Sequence, residues 1–218
     1  MNIKEYLSDD FKALDINDSS ERAIELFVEL GYDYLPIVNN EELVACLSSD
    51  ICFSDKLDGE ISSYIEMSEL FYVNKESNLL DALKVLGESD SNIVPVCDDD
   101  LKYCGYISQE DLMSFFSNTP LVEEIGGVIV LRKSIREFSV SEIAQVIESE
   151  NAKVIGVFVS KFNEDDAYIS VKINQIRLAN IEAALKRFGY EVVESYHENR
   201  NIDNLEDRYK SLMNYLDI

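Results

Sequence analysis

Apolar residues recur at helical spacing in two segments of the first half of the chain. In 22–30 and in 79–86 they fall three or four residues apart, which predicts one amphipathic helix in each segment. Asp18 and Glu21 fit a capping box at the start of the first helix. A shift of 59 residues superimposes the two segments, so the pattern indicates an internal repeat.

Each predicted helix is followed by two short apolar strands and a further helix. The first strand of each pair contains a proline, which lacks an N–H and therefore favours a strand start or a sheet edge. Acidic residues between the strands predict turns. The strands are predicted at 34–38 and 43–47 in the first copy, and at 93–97 and 103–107 in the second.

Each copy therefore has the order strand, helix, strand, strand, helix. A unit this small cannot bury both faces of its sheet alone, so the two copies are expected to pack against each other. We predict one domain over 1–118, built from repeats at 1–59 and 60–118.

The second half has a different order, βαββαβ, after a linker at 118–124. This order specifies a split βαβ, ferredoxin-like sheet, here over 126–197, so the predicted fold class is α+β. Residues 198–218 show apolar positions at helical spacing and predict a C-terminal helix. The strands are predicted at 127–131, 153–159, 168–173 and 190–196, and the helices from Ser139 or Ser141 to Glu150 and from Leu178 to Phe188.

Negative charge is the strongest feature of the composition. The net charge is −24, and residues 1–118 contain 26 acidic and 7 basic side chains. Phosphate binding needs clustered lysine and arginine, so we expect neither nucleic acid nor an anionic membrane as a partner. No apolar run approaches the roughly 20 residues that span a bilayer, and we expect a cytoplasmic protein.

The sequence carries no signature of an enzyme. It lacks the glycine-rich, serine and histidine motifs that mark common catalytic sites. The four cysteines form no pair at metal-ligand spacing, and His197 is the single histidine, so no metal site is expected. We predict a non-catalytic protein.

The first 118 residues resemble a pair of CBS domains, the modules named after cystathionine β-synthase. The resemblance is carried by the repeat, by the apolar-Pro-apolar strand in each copy, and by the segment Gly105-Tyr106-Ile107-Ser108-Gln109-Glu110-Asp111. In that family a glycine, two apolar residues, Ser or Thr, two variable residues and Asp form the ribose end of an adenine-nucleotide site.

The resemblance implies a regulatory protein that senses an adenine-containing metabolite such as AMP or ATP. The aspartate would accept hydrogen bonds from ribose hydroxyls, and the apolar strands would flank the base. The implied ligand-binding residues are Tyr34, Pro36, Asn92, Ile93, Pro95, Tyr106, Ser108 and Asp111. Ser108 and Asp111 are equally suited to cap a helix.

The first repeat departs from this motif. Its corresponding segment, 45–50, lacks the glycine, and Asp50 stands two residues after Ser48 instead of three. One residue fewer rotates a side chain by about 100° on a helix, which points Asp50 away from a ribose. The scarcity of basic residues also favours a monophosphate or nucleoside over ATP.

Residues 127–196 resemble an ACT domain, a small ferredoxin-like module that often binds amino acids and pairs with a second copy. A CBS pair followed by an ACT domain is similar to acetoin-utilisation-type accessory proteins. This resemblance implies a homodimer and a regulated protein partner. Two alternatives stay open: a ligand-free scaffold for dimerisation and partner binding, and amino-acid sensing by the ACT-like domain.

Overall fold

The described part of the chain forms two units. The computed structural model describes residues 3–54 and 59–197, and the boundary between the units lies between Phe116 and Ser117. The C-terminal helix predicted for 198–218 lies outside the described residues.

The first unit contains the same five elements twice, in the order that the sequence predicts. Short 3₁₀ turns at Ile3–Tyr6 and Ile61–Met67 precede the two copies. The first copy has β1 (Leu14–Asp15), α1 (Ser20–Leu30), β2 (Tyr34–Asn39), β3 (Glu42–Ser48) and α2 (Ser49–Ser54). The second copy has β4 (Val73–Asn74), α3 (Leu79–Ser89), β5 (Ile93–Cys97), β6 (Tyr103–Ser108) and α4 (Gln109–Ser117).

Each copy forms a three-stranded sheet of the same topology. The strand orders are β1-β2-β3 and β4-β5-β6. In both sheets the first pair is parallel and the second is an antiparallel hairpin. In each copy a helix connects the two parallel strands, α1 in the first and α3 in the second.

Polar side chains fix the start of each crossover helix. The cap of α1 is Ser19, whose hydroxyl accepts a hydrogen bond from the backbone N–H of Arg22. The sequence prediction of Asp18 as the cap was therefore wrong by one residue, because Asp18 instead accepts a hydrogen bond from the N–H of Asp15 at 2.8 Å. In α3, Asn78 and Asp81 form a complete capping box.

The two repeats share their interior. Ile93 and Tyr106 belong to the second repeat, yet both pack in the hydrophobic cluster of the first. The backbone N–H of Tyr103 donates to the carbonyl of Glu41 at 2.8 Å, which joins the two hairpins. Removing either repeat would expose apolar surface of the other, so the pair is one folding unit.

The chain before β1 is tied to the second repeat. We call residues 7–13 the N-terminal arm. Ser8 and Tyr106 exchange two backbone hydrogen bonds of 2.9 Å. This close approach depends on Gly105, which has a φ of +138° and where an added Cβ would lie 2.5 Å from the carbonyl oxygen of Ser8.

The second unit has the βαββαβ order of a split βαβ sheet. Its strands lie in the order β10-β7-β9-β8, and every neighbouring pair is antiparallel. The helices α6 and α7 pack on one face. The elements are β7 (Gly127–Ser134), α6 (Val140–Ser149), β8 (Val154–Asn163), β9 (Asp166–Ile173), α7 (Ala179–Arg187) and β10 (Glu191–His197).

The segment predicted as a linker contains a short helix, α5 (Pro120–Glu123). Proline at the first position of a helix loses no hydrogen bond, and its fixed φ suits the helix. Leu121 lies against β8 at Gly156, where an added Cβ would be 2.6 Å from the Leu121 side chain. The segment is thus packed on the second unit.

Two basic residues of β7 are paired with carboxylates of the same unit. Lys133 lies 3.3 Å from the carboxylate of Glu142 and 4.0 Å above the ring of Tyr190. Hydrogen bonds from Tyr190 and then Lys133 hold the pKa of Glu142 below its usual value. Arg132 pairs with Glu191.

The four cysteines are free thiols, and Cys46, Cys52 and Cys97 are buried. Burial raises the pKa of Cys46 and of Cys97 to about 12, so these thiols stay protonated and pack as small apolar groups. Within 3–54 and 59–197, no helix has the length and apolar character to cross a membrane.

Two neighbouring serines allow a test of this packing. The side chain of Ser20 is fully buried, and its hydroxyl has no hydrogen-bond partner among the residues that the structure describes. We expect Ser20→Ala to raise the free energy of unfolding by about 1 kcal/mol, since an unpaired buried hydroxyl is costly. Ser19→Ala removes the cap of α1 and should lower the free energy of unfolding by about 1 kcal/mol.

Urea denaturation followed by circular dichroism measures both variants. A loss of stability in Ser20→Ala comparable to that in Ser19→Ala would contradict the assignment of Ser20 as an unpaired core residue.

Candidate functional site

The motif segment of the second repeat ends β6 and begins α4. The Ser108 hydroxyl donates to Oδ2 of Asp111 at 2.6 Å, and the backbone N–H of Asp111 donates to Ser108 Oγ at 3.0 Å. The N–H of Ser108 also reaches the same carboxylate oxygen, at 3.2 Å. The two residues therefore form a capping box, which holds both side chains at the start of α4.

A cleft of about 380 Å³ opens beside this helix start. It is walled by both repeats, because the C-terminal end of α1 faces the first turn of α4. Its lining contains one carboxylate and no basic side chain. The lining residues are Leu30, Gly31, Tyr32, Asn92, Ser108, Gln109, Glu110 and Met113.

Asn92 joins the two walls of this cleft. Its carbonyl oxygen accepts a hydrogen bond from the N–H of Asp33 at 2.9 Å, and its amide donates to the carbonyl of Gly31 at 3.3 Å. The backbone carbonyl of Asn92 accepts from the N–H of Gln109 at 2.8 Å. One residue thus connects the end of α1 to the start of α4.

Tyr106 lies in the protein interior and not in the cleft. Its side chain is 2% exposed, and its ring centroid is 4.7 Å from that of Phe11 and 5.5 Å from that of Tyr32. Its hydroxyl donates to Asp10 and lies 3.0 Å from the Tyr32 hydroxyl. Burial, and then these hydrogen bonds, raise the pKa of Tyr106. Tyr106, which the resemblance implied as a ligand contact, therefore makes its contacts with other side chains of the protein.

The remaining residues implied by the resemblance are dispersed. Ile93, Pro95 and Pro36 are buried in their strands, so no surface of theirs faces the cleft. Tyr34 is half-buried and packs edge-on against Phe71, with ring centroids 5.1 Å apart. The structure thus brings Asn92, Ser108 and Asp111 together at the start of α4. Ile93 pairs with Ser108 across the hairpin, but neither it nor the other four residues line the cleft.

The first repeat has a different helix start. The Ser48 hydroxyl accepts a hydrogen bond from the N–H of Asp50 at 3.1 Å, and Asp50 is exposed. No hydrogen bond joins the carboxylate of Asp50 to Ser48 in the described residues. This difference follows from the shortened spacing seen in the sequence.

Tyr32 and Met113 line the cleft, although the sequence pattern did not predict them as site residues. Both lie outside the motif, and Met113 is 62% exposed on α4. The repeat itself held a signal, since the 59-residue shift pairs Asp33 with Asn92, and these two positions meet in the structure. For metals, no group of three or more suitable ligands occurs among the residues described.

The tandem βαββα units and their shared core have the architecture of a CBS domain pair. Residues 3–50 and 61–118 match the family model of the CBS domain. The first half of the chain is therefore a CBS domain pair.

Known proteins are similar to about half of this chain. An uncharacterized protein of Methanocaldococcus jannaschii is 25% identical over 103 residues, which are 46% of this chain and 34% of that protein. The match thus spans about a third of the length of that relative.

Two solved structures are also similar. A CBS domain pair/ACT domain protein from Thermotoga maritima has a TM-score of 0.48 and 17% identity, over 53% of this chain and 96% of that one. CBSX2 in complex with AMP has a TM-score of 0.45 and 19% identity, over 53% of this chain and 95% of that one.

Two tyrosines of β6 test the packing around the site. Tyr106→Phe removes the hydroxyl that donates to Asp10, and we expect it to lower the free energy of unfolding by about 1.5–3 kcal/mol, the usual range for a bond to a charged group. Tyr103 is the matched control, since its hydroxyl is buried and has no hydrogen-bond partner in the described part of the chain. Tyr103→Phe should leave stability unchanged or raise it.

Both values come from urea denaturation of the full chain. Equal losses in the two variants would show that the Asp10 hydrogen bond does not hold Tyr106 in place.

Proposed function

We propose that this protein is a non-catalytic regulatory protein whose second CBS repeat binds an adenine nucleoside or nucleoside monophosphate in the cleft at the start of α4. CBS domain pairs are generally regulatory and often bind adenine nucleotides. The observation that carries the proposal is the position of Ser108 in the lining of a cleft walled by both repeats, with the carboxylate of Asp111 hydrogen-bonded to it.

The carboxylate of Asp111 retains an oxygen for a ligand. Ser108 occupies Oδ2, whereas Oδ1 accepts no hydrogen bond from the described residues. A ribose hydroxyl can donate to this oxygen without breaking the capping box. The positive end of the α4 helix dipole favours an acceptor on the same ligand.

The charge of the cleft selects among adenine ligands. Glu110 is acidic, and no lysine or arginine belongs to the lining. Each phosphate added to the ligand increases repulsion from this surface. The proposed order of affinity is therefore adenosine, then AMP, then ATP.

Binding at this cleft also provides a means of regulation. The ligand would contact the end of α1 and the start of α4, so it favours the arrangement in which these two ends are close. A ligand shifts such an equilibrium by its difference in affinity for the two arrangements.

For the second unit we propose an ACT-like role in forming a homodimer that engages a regulated protein. Its sheet ends in the edge strand β8, which leaves Phe158 and Phe162 54% and 61% exposed. Exposed aromatic residues on an open edge suit pairing with another chain.

A ligand-free scaffold is the second candidate function. The observation that favours it is the interior position of Tyr106 and Pro95, which the resemblance implied as walls for a base. In this case the CBS pair would serve partner binding alone.

A thermal-shift titration tests the ligand proposal. We expect adenosine at a hundred times its dissociation constant to stabilise the protein by about 2.7 kcal/mol, AMP to act more weakly at equal concentration, and ATP to act least. Asp111→Ala should abolish the ligand-induced shift. Asp50→Ala, the corresponding change in the first repeat, should leave it intact.

The ligand-induced shift is compared within each variant, so a lower melting temperature of Asp111→Ala does not affect the result. A flat response to all adenine compounds at millimolar concentration, with or without Mg²⁺, would refute ligand binding and support the scaffold.

A further inference from the structure

A second cavity, of about 460 Å³, lies between the N-terminal arm and strand β6. It shares no lining residue with the cleft at α4. Its volume is in the range of small-molecule sites. The arm forms one wall, and the ends of β1 and β2 form another.

The cavity combines an apolar surface with charges of both signs. Phe11, Ala13 and Val38 supply apolar surface. Lys12 and Asp9 are exposed at its edge, and neither makes an ion pair within the described part of the chain. Asp15 contributes a second carboxylate, whose Oδ1 accepts from the backbone N–H of Asn17 at 2.9 Å and from its side-chain amide at 2.8 Å, so Oδ2 is the oxygen that can face a ligand's ammonium group.

Glu41 also borders the cavity, but its carboxylate is already engaged by a lysine. Its carboxylate lies 2.8 Å from the ammonium of Lys102. The charges left to act on a ligand are therefore the ammonium of Lys12 and the carboxylates of Asp9 and Asp15. A molecule complementary to them carries one anionic and one cationic group beside an apolar body.

The second repeat lacks this combination of charges and space at the corresponding positions. The 59-residue shift places Phe71 at the position of Lys12 and Asn74 at that of Asp15. Tyr72 likewise corresponds to Ala13, where a small side chain leaves room. Neither these charges nor this space follows from the repeat architecture.

We propose that this cavity binds the zwitterion of an apolar amino acid. Lys12 pairs with the ligand carboxylate, Asp9 and Asp15 receive its ammonium group, and its side chain covers Phe11 and Val38. Opposite charges on each side fix the orientation of the ligand. The site is independent of the proposed adenine cleft.

Isothermal titration calorimetry of the full chain tests this site with L-phenylalanine, phenethylamine and 3-phenylpropionate. The two analogues each lack one charged group. We expect L-phenylalanine to bind at least about 10-fold more tightly than either, since each analogue loses one of the two charge-assisted contacts.

Lys12→Gln should lower the affinity for L-phenylalanine by about 10-fold or more. The affinity for phenethylamine, which has no carboxylate, should not change. Lys84→Gln is the control, because Lys84 lies on α3 in an exposed pair with Glu88. Asp111→Ala should not alter amino-acid binding, which separates this test from that of the adenine cleft.

Three results would overturn the proposal. They are no binding heat with L-phenylalanine at millimolar concentration, an affinity for phenethylamine equal to that for L-phenylalanine, and an affinity of Lys12→Gln for L-phenylalanine equal to that of the unchanged protein.

Discussion

The structure depends on the mutual burial of the two CBS repeats. Each repeat has a sheet of three strands, of which the first is two residues long, and such a sheet cannot enclose a core by itself. The second repeat supplies Tyr106 and Ile93 to the core of the first. Neither repeat has a complete interior without the other.

This constraint also determines where a ligand can bind. Tyr106 stands two residues before Ser108, and strand geometry places their side chains on the same face. Tyr106 packs against Phe11 and Tyr32 in the interior. The part of the motif that a ligand can reach is therefore the end of β6 and the start of α4. The cleft forms there because Asn92 holds the end of α1 against the start of α4.

The elements could be predicted from the sequence because their signals are local. Apolar spacing located α1 and α3, and the proline-containing strands located both hairpins. The composition of the site was less predictable, since Tyr106 is held by Asp10, which is 96 positions away. A pattern of neighbouring residues carries no information about such a contact. The shift from Asp18 to Ser19 at the start of α1 has a similar cause, because Asp18 bonds to Asp15 in the preceding strand.

The location of the ligand is the central claim, and amide hydrogen exchange of the full chain with and without adenosine tests it most directly. The account predicts slower exchange at 109–113, at the start of α4, and at 30–33, after α1, because the ligand would lie between these segments. Exchange that slows in one of these segments alone, or in neither, would contradict a site walled by both repeats.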